Sequence, residues 1–319
     1  MNEDERMALS DIDIRDAFFD ALYQIAKNDP KVIFLTADMS AHSLVRFKKD
    51  LPQQYINVGV AEQNMVSVAA GLALGGKRVF IYAIASFITQ RCYEQIKVDV
   101  CGMALPITVI GVGPGIAYNS DGPTHHAIHD IAIMRVLPEI TILSPADSIA
   151  ASRFAQQAYT SDGPIYVRLD KGLWPVLYDH EYDFSSGIAH VKEGNSVLII
   201  ATGSMVHQAH QTASALARDG IDAGIIDMYR IKPLNKQELL HYVAQYKSIV
   251  TLEEHSMSGG IGSIISELLT DTKKSIPLKR IALADLKYNG YGDRSWMHSL
   301  YGLDVTSITK TIRAWLEEM

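Results

Sequence analysis

Three times in the first half of the chain, a segment with helical spacing of apolar residues is followed by a short β-branched run. "IRDAFFDALYQIAK" leads to "VIFLT", "AEQNMVSVAAGLAL" to "RVFIYAIA", and "CYEQIKVDVCG" to "PITVIGV". Strands separated by whole helices cannot pair as hairpins, so they are expected to lie parallel, with the helices packed over both faces of the sheet. A second series begins at "SVLIIATG" and continues through "MVHQAHQTASALARDG", "IDAGIIDMY", "NKQELLHYVAQY", "SIVTLEE" and "GIGSIISELL". Between the two lies "DKGLWPVLYDHEYDFSSGIAHVKEGN", rich in turn formers, aromatics and charge and lacking a helical period. The predicted fold class is α/β, with two doubly wound domains at residues 1–185 and 186–319, each a mostly parallel sheet flanked by helices. With 319 residues, 48% of them apolar, the chain has material for two cores.

Charge and cysteine use narrow the function classes. The net charge is -7 and no Lys/Arg run exceeds two residues, so there is no basic stripe for a phosphate backbone, and nucleic acid is not an expected partner. The opening "MNEDERMALS" is acidic where a signal peptide is basic and then apolar, and no apolar run approaches the roughly 18 residues of a membrane span. The expectation is a cytoplasmic protein without a membrane partner. Cys92 and Cys101 lack CxxC spacing and sit in apolar surroundings, as two buried thiols of a reducing compartment would.

Two stretches could carry chemistry. Glu62 stands where "INVGV" gives way to a helix, and Met65, Val66, Ala69, Ala70 and Ala73 follow at helical spacing, so the acid shares the buried stripe. It is either a favourable charge at a helix start, worth about 0.3–1 kcal/mol, or a catalytic carboxyl beside apolar surface that can share a proton with a ligand nitrogen. "NSDGPTHHAIHD", residues 119–130, gathers Asp121, His125, His126, His129 and Asp130 at a predicted helix opening. It can be read as a helix cap with exposed imidazoles, a proton-transfer site, or a metal site with His125 and His129 on one helix face. The HExxH pattern of zinc proteases is absent, as are GxSxG and the P-loop. "GVGPG" and "SGGIGS" lack the helix and the ribose-binding acid of a dinucleotide site, and His207 and His210 of "HQAH" read as a solvated helix face.

In order along the chain, "DIRDAFF", "TADMS", "NVGVAEQNM", "SDGPTHHAIHD", "TILSPADS", "GPIYVRLDKG" and "ATGS", "IDMYRIKPL", "TLEEH", "GGIGS" resemble the C-terminal half of transketolases. They are similar as well to deoxyxylulose phosphate synthase and to the β subunits of 2-oxo acid dehydrogenases. The resemblance implies a pyrimidine-binding domain for thiamine diphosphate followed by a mainly structural transketolase C-terminal domain. The implied reaction transfers a two-carbon ketol unit from a ketose to an aldose through a cofactor enamine. By the same resemblance Glu62 bonds the N1′ of the cofactor's aminopyrimidine, Tyr82 and Phe87 pack on that ring, and Asp38 lies near the cofactor. Asp121 faces substrate hydroxyls, His125 moves protons at the reacting carbon with His126 assisting, and Arg15 and Arg168 hold a distal phosphate.

Two departures stand out. Gly113 occupies about the place of a further transketolase histidine. The G-D-G motif with its downstream Asn, which ties magnesium to the diphosphate, is missing from the chain, so no metal site is expected in it. The implied enzyme is split. An N-terminal subunit carrying that motif would hold Mg2+, and the natural assembly is an α2β2 heterotetramer acting on a sugar or sugar phosphate. The alternatives are the β subunit of a 2-oxo acid decarboxylating dehydrogenase, a metal-dependent hydrolase built on His125, His126 and His129, and a silent scaffold for a partner.

Overall fold

The computed structural model describes residues 10–285 and 291–319, and the acidic opening at residues 1–9 lies outside them. The first series forms helices α1 (Ile14–Asn28), α2 (His42–Asp50), α3 (Glu62–Leu74), α4 (Asp130–Arg135) and α5 (Ser148–Thr160). With them come strands β1 (Val32–Thr36), β2 (Tyr55–Asn57), β3 (Arg78–Ile84), β4 (Ile107–Val112), β5 (Thr141–Leu143) and β6 (Ile165–Leu169). The second series forms β7 (Ala189–Lys192), β8 (Val197–Ala201), α6 (Met205–Ala217), β9 (Ala223–Asp227), β10 (Arg230–Lys232), α7 (Lys236–Val243) and β11 (Ile249–Ser256). It ends with α8 (Ile261–Asp271), β12 (Leu278–Leu283), α9 (Arg294–Tyr301) and α10 (Val305–Glu317). The α/β class holds: two mostly parallel sheets, each flanked by helices.

The larger sheet has the order β10-β5-β6-β4-β3-β1-β2, and the smaller β12-β11-β8-β9-β7. Every residue of β1, β4 and β6 is buried, as expected of strands covered on both faces. Side chains alternate across β3, so Ile81 and Ala83 join one core with Met65, Val66 and Ala69 of α3, while Phe80 and Tyr82 enter the other with Phe19 and Phe34. The buried residues of α3 are Glu62, Met65, Val66, Ala69, Ala70 and Ala73, the stripe that the spacing predicts.

Three features differ from the sequence expectation. "CYEQIKVDVCG" is not a regular helix: π-turns at Phe87–Arg91 and Ile96–Cys101 flank a short α-turn at Tyr93–Gln95. Such widened turns shift side-chain register and recur at functional sites. The turn-rich connection ends in β7, which pairs antiparallel with β9 at the edge of the smaller sheet. Finally β10, from the second series, pairs antiparallel with β5 and so closes one edge of the first sheet.

A buried polar network joins the two sheets. Arg168 Nε donates to Asp130 Oδ2 at 2.8 Å, its Nη2 donates to the Glu254 carbonyl at 2.9 Å, and Tyr166 Oη also reaches Asp130 Oδ2 at 2.8 Å. Glu254 accepts from the Ile116 amide at 2.6 Å and Arg294 Nε at 3.0 Å and pairs with His298 Nε2 at 2.5 Å. Burial raises the affinity of Glu254 for a proton, but the Arg294 and His298 contacts outweigh it and bring the pKa down to about 2. Low dielectric makes such pairs strong when complete and costly when broken.

Candidate active site

In parallel α/β sheets ligands bind outside the carboxyl ends of the strands, where the chain turns into loops and helix starts. This chain sends to that edge Asp38 after β1, Glu62 after β2, Phe87 after β3, residues 113–125 after β4 and Lys171 after β6. Those loops supply Asp38, Glu62, Phe87, Asp121 and His125, whereas Tyr82 and Arg168 lie within β3 and β6 and Arg15 within α1.

The side chains form a contiguous path. Glu62 is buried, and its Oε1 accepts from Arg91 Nη1 at 3.1 Å. The Arg91 guanidinium lies 3.6 Å from the centroid of the Phe87 ring, and that ring is 4.9 Å from the His125 imidazole. His125 is 5.8 Å from Tyr118, whose ring carries the Lys171 ammonium at 3.8 Å. The loops are held together by Ser86 Oγ donating to the Thr124 carbonyl at 3.2 Å, and Thr124 Oγ1 is 2.9 Å from His125 Nδ1. Asp121 is exposed in the same loop. Burial, the largest influence, lowers the His126 pKa and keeps that imidazole neutral at neutral pH.

Gly113 has φ +74, and a Cβ there would collide with the Tyr118 ring. The absence of a side chain at 113 is thus filled by a phenol from five residues later. Burial likewise lowers the Lys171 pKa, although Asp121 and Asp170 pull it the other way. Arg15 enters the same electrostatic neighbourhood: it influences Tyr118, Tyr82 and Lys171 and lies 3.7 Å from Asp16.

Several expected residues sit elsewhere. Tyr82 is fully buried, its ring edge-on to Phe19 at 4.8 Å, on the sheet face opposite α3. A ring on that face cannot stack on a ligand held by Glu62, so the cofactor-packing role expected for Tyr82 is corrected by strand alternation. Arg168 is also corrected. It is 4% exposed with its guanidinium engaged by Asp130 and the Glu254 carbonyl, leaving no fork for a substrate anion. Asp38 is exposed at φ 54 and exchanges hydrogen bonds of 3.1 Å with Asn57 at the tips of β1 and β2. Residues 119–129 form turns, and the helix starts only at Asp130, so His125 and His129 share no helix face. Among the described residues no group of three or more His, Cys, Asp or Glu is placed to hold a metal ion. His207, read as solvated, is buried, stacks on Trp174 at 5.2 Å and contacts the Ala146 carbonyl at 2.7 Å. Cys92 and Cys101 are buried free thiols as expected.

Sequence reasoning missed Arg91, Tyr118 and Lys171. Arg91 bears on whether the site fits the expected aminopyrimidine. Its flat, cationic guanidinium lies on the Phe87 face and donates to Glu62. Those are the two contacts a protonated heterocycle would seek, a ring to stack on and a buried carboxylate to bond. The residues present therefore fit the group: Glu62 and Phe87 would hold it.

Residues 10–176 match the family model described as the transketolase pyrimidine-binding domain, and residues 187–308 that of the transketolase C-terminal domain. A subunit of the apulose-4-phosphate transketolase of Phocaeicola vulgatus is 34% identical over 308 residues, covering 96% of this chain and 98% of its own. The 6-deoxy-6-sulfo-D-fructose transketolase subunit of a Clostridium species is 34% identical over 313 residues, 97% of this chain and 96% of its own. A solved structure described as a split gene transketolase, inactive beta4 tetramer, superposes with a TM-score of 0.85 at 32% identity, over 97% of this chain and 99% of that one. With both domains matched and relatives aligned nearly end to end, the chain belongs to the transketolase family, as the subunit that carries the pyrimidine-binding and C-terminal domains.

Proposed function

We propose that this chain works with an N-terminal subunit as a two-chain transketolase, moving a two-carbon ketol unit from a ketose phosphate or sulfonate to an aldose. The observation that carries the reading is the buried Glu62 carboxylate, joined through Arg91 to the Phe87 ring at the strand ends, in a chain without a G-D-G motif. Thiamine diphosphate, the family's cofactor, supplies the carbanion chemistry when bound. Glu62 holds a proton at the aminopyrimidine N1′, and the low dielectric around it strengthens that bond. Phe87 would support the ring, and Asp38, at the tips of β1 and β2, would lie near the cofactor. His125 moves protons at the reacting carbon with neutral His126 assisting, and Asp121 faces a sugar hydroxyl. The partner carries the G-D-G motif with its Asn and the Mg2+, the assembly is α2β2, and the enzyme is cytoplasmic.

The anion end is reassigned. With Arg168 engaged inside the fold, Lys171, over the Tyr118 ring and within the field of Asp121, and Arg15, which influences Tyr118, are the candidate cations. Two relatives are named for sugars bearing a phosphate and a sulfonate. A compact ammonium suits either tetrahedral anion as a point charge. Lys171→Ala is expected to raise KM for such a ketose about tenfold, the loss of one charge-assisted hydrogen bond of about 1.5 kcal/mol, with kcat little changed. The KM difference should shrink at high salt. Equal KM values for the two enzymes would place the anion elsewhere.

The assembly is tested by tagging the chain in its host, purifying it gently and identifying what accompanies it. A stoichiometric partner with G-D-G and the downstream Asn, holding thiamine diphosphate, is the expected result. A homo-oligomer that binds no thiamine diphosphate and gains no activity from any such subunit would refute the split-site reading.

A further inference from the structure

Gly122 sits at φ +79, and a Cβ built there would lie 2.5 Å from the ring of Tyr291 and 2.9 Å from its hydroxyl. A phenol from the C-terminal half therefore rests directly on the turn between Asp121 and Pro123. Only glycine leaves room for it.

The contact is anchored from several sides. Asn119 Nδ2 donates to the Gly292 carbonyl. Asp293 caps α9 by accepting from the Trp296 amide at 2.8 Å. Arg294, next in the chain, donates to both oxygens of Asp170 at 3.0 and 2.9 Å, and Asp170 immediately precedes Lys171. Residues 291–294 thus hold both the loop bearing Asp121 and His125 and the loop bearing Lys171. Yet Tyr291 is 67% exposed. The ring is fixed on its Gly122 side and open on the other.

Tyr118 borders the same loop, packed over Gly113, near His125 and beneath the Lys171 ammonium. Ring faces offer apolar area to the C–H side of a sugar chain. We infer that Tyr291 is a specificity-determining residue, forming with Tyr118 an aromatic wall against the carbon chain of the ketose between its reacting end and its distal anion. The inference rests on the transketolase reading above. It assigns the C-terminal domain, expected to be mainly structural, a direct share in substrate choice.

The test uses the two-chain enzyme and a panel of ketopentose phosphates, ketohexose phosphates and a sulfonated ketohexose. Tyr291→Ala is expected to raise KM at least about fivefold for the sugars the wild type turns over, with kcat within about twofold, as loss of binding shared by ground and transition states does. Tyr291→Phe, which keeps the ring, is expected to retain a KM within about twofold of wild type. Unchanged KM for Tyr291→Ala across the panel overturns the inference. So does a fall in kcat larger than the rise in KM, the mark of a ring that merely holds Asp121 and His125 in place. A wild-type complex that turns over no sugar sinks the transketolase reading itself, and the inference with it.

Discussion

Glu62→Gln in the assembled enzyme is expected to lower kcat by about a hundred- to ten-thousandfold, the usual weight of a positioned proton-transfer group. The carboxamide keeps the size of the side chain and can still bond Arg91, so the α3 start and its buried stripe stay intact. What it loses is the capacity to hold a proton as an acid. Two further measurements isolate that loss. Exchange of deuterium at the thiazolium C2, quenched in acid and read by NMR, should slow by a similar factor. The urea midpoint of the isolated chain should move little. Wild-type turnover in the variant would leave this chain as a silent support for its partner.

Arg168→Ala should act on the fold and not on substrate affinity. The substitution strands Asp130, which is wholly buried and keeps only the Tyr166 hydroxyl, and it frees the Glu254 carbonyl across the junction of the two sheets. Breaking one side of a buried pair costs about 3–5 kcal/mol, a large fraction of a protein's margin. Urea unfolding should register that loss, or the variant should fail to accumulate as folded protein. Any folded fraction should keep the wild-type KM. A variant of normal stability with a raised KM would return Arg168 to the substrate site.

The two halves of the motif "GPIYVRLDKG" show what a sequence can and cannot display. Its β-branched run identifies β6, and both basic residues are visible in it. Which of them turns into the fold depends on Asp130, 38 residues earlier in the chain, because that buried carboxylate holds Arg168 inside while Lys171 lies in the loop after β6. No local pattern carries that information. Glu62 was legible for the opposite reason: its burial follows from the stripe on its own helix. Tyr82 lies between. Strand alternation puts it opposite Ile81 and Ala83, but the strand alone does not tell which face α3 covers. Arg91 was hidden by the π-turns, which carry its side chain to Glu62, 29 residues back. His207 was misread because its helix face meets Trp174 of the connecting loop, a contact made only in the folded chain.

The short strand β10 sets a timetable for the nascent chain. The β5 edge of the first sheet, at Thr141–Leu143, gains its antiparallel neighbour only when Arg230–Lys232 have been synthesised. Until then an emerging polypeptide that already holds most of its first core presents an open row of backbone donors and acceptors, the kind of edge along which unfinished chains pair with one another. Ribosomal pausing anywhere between β5 and β10 would prolong that exposure, and a protein ended in the connecting loop would never leave it.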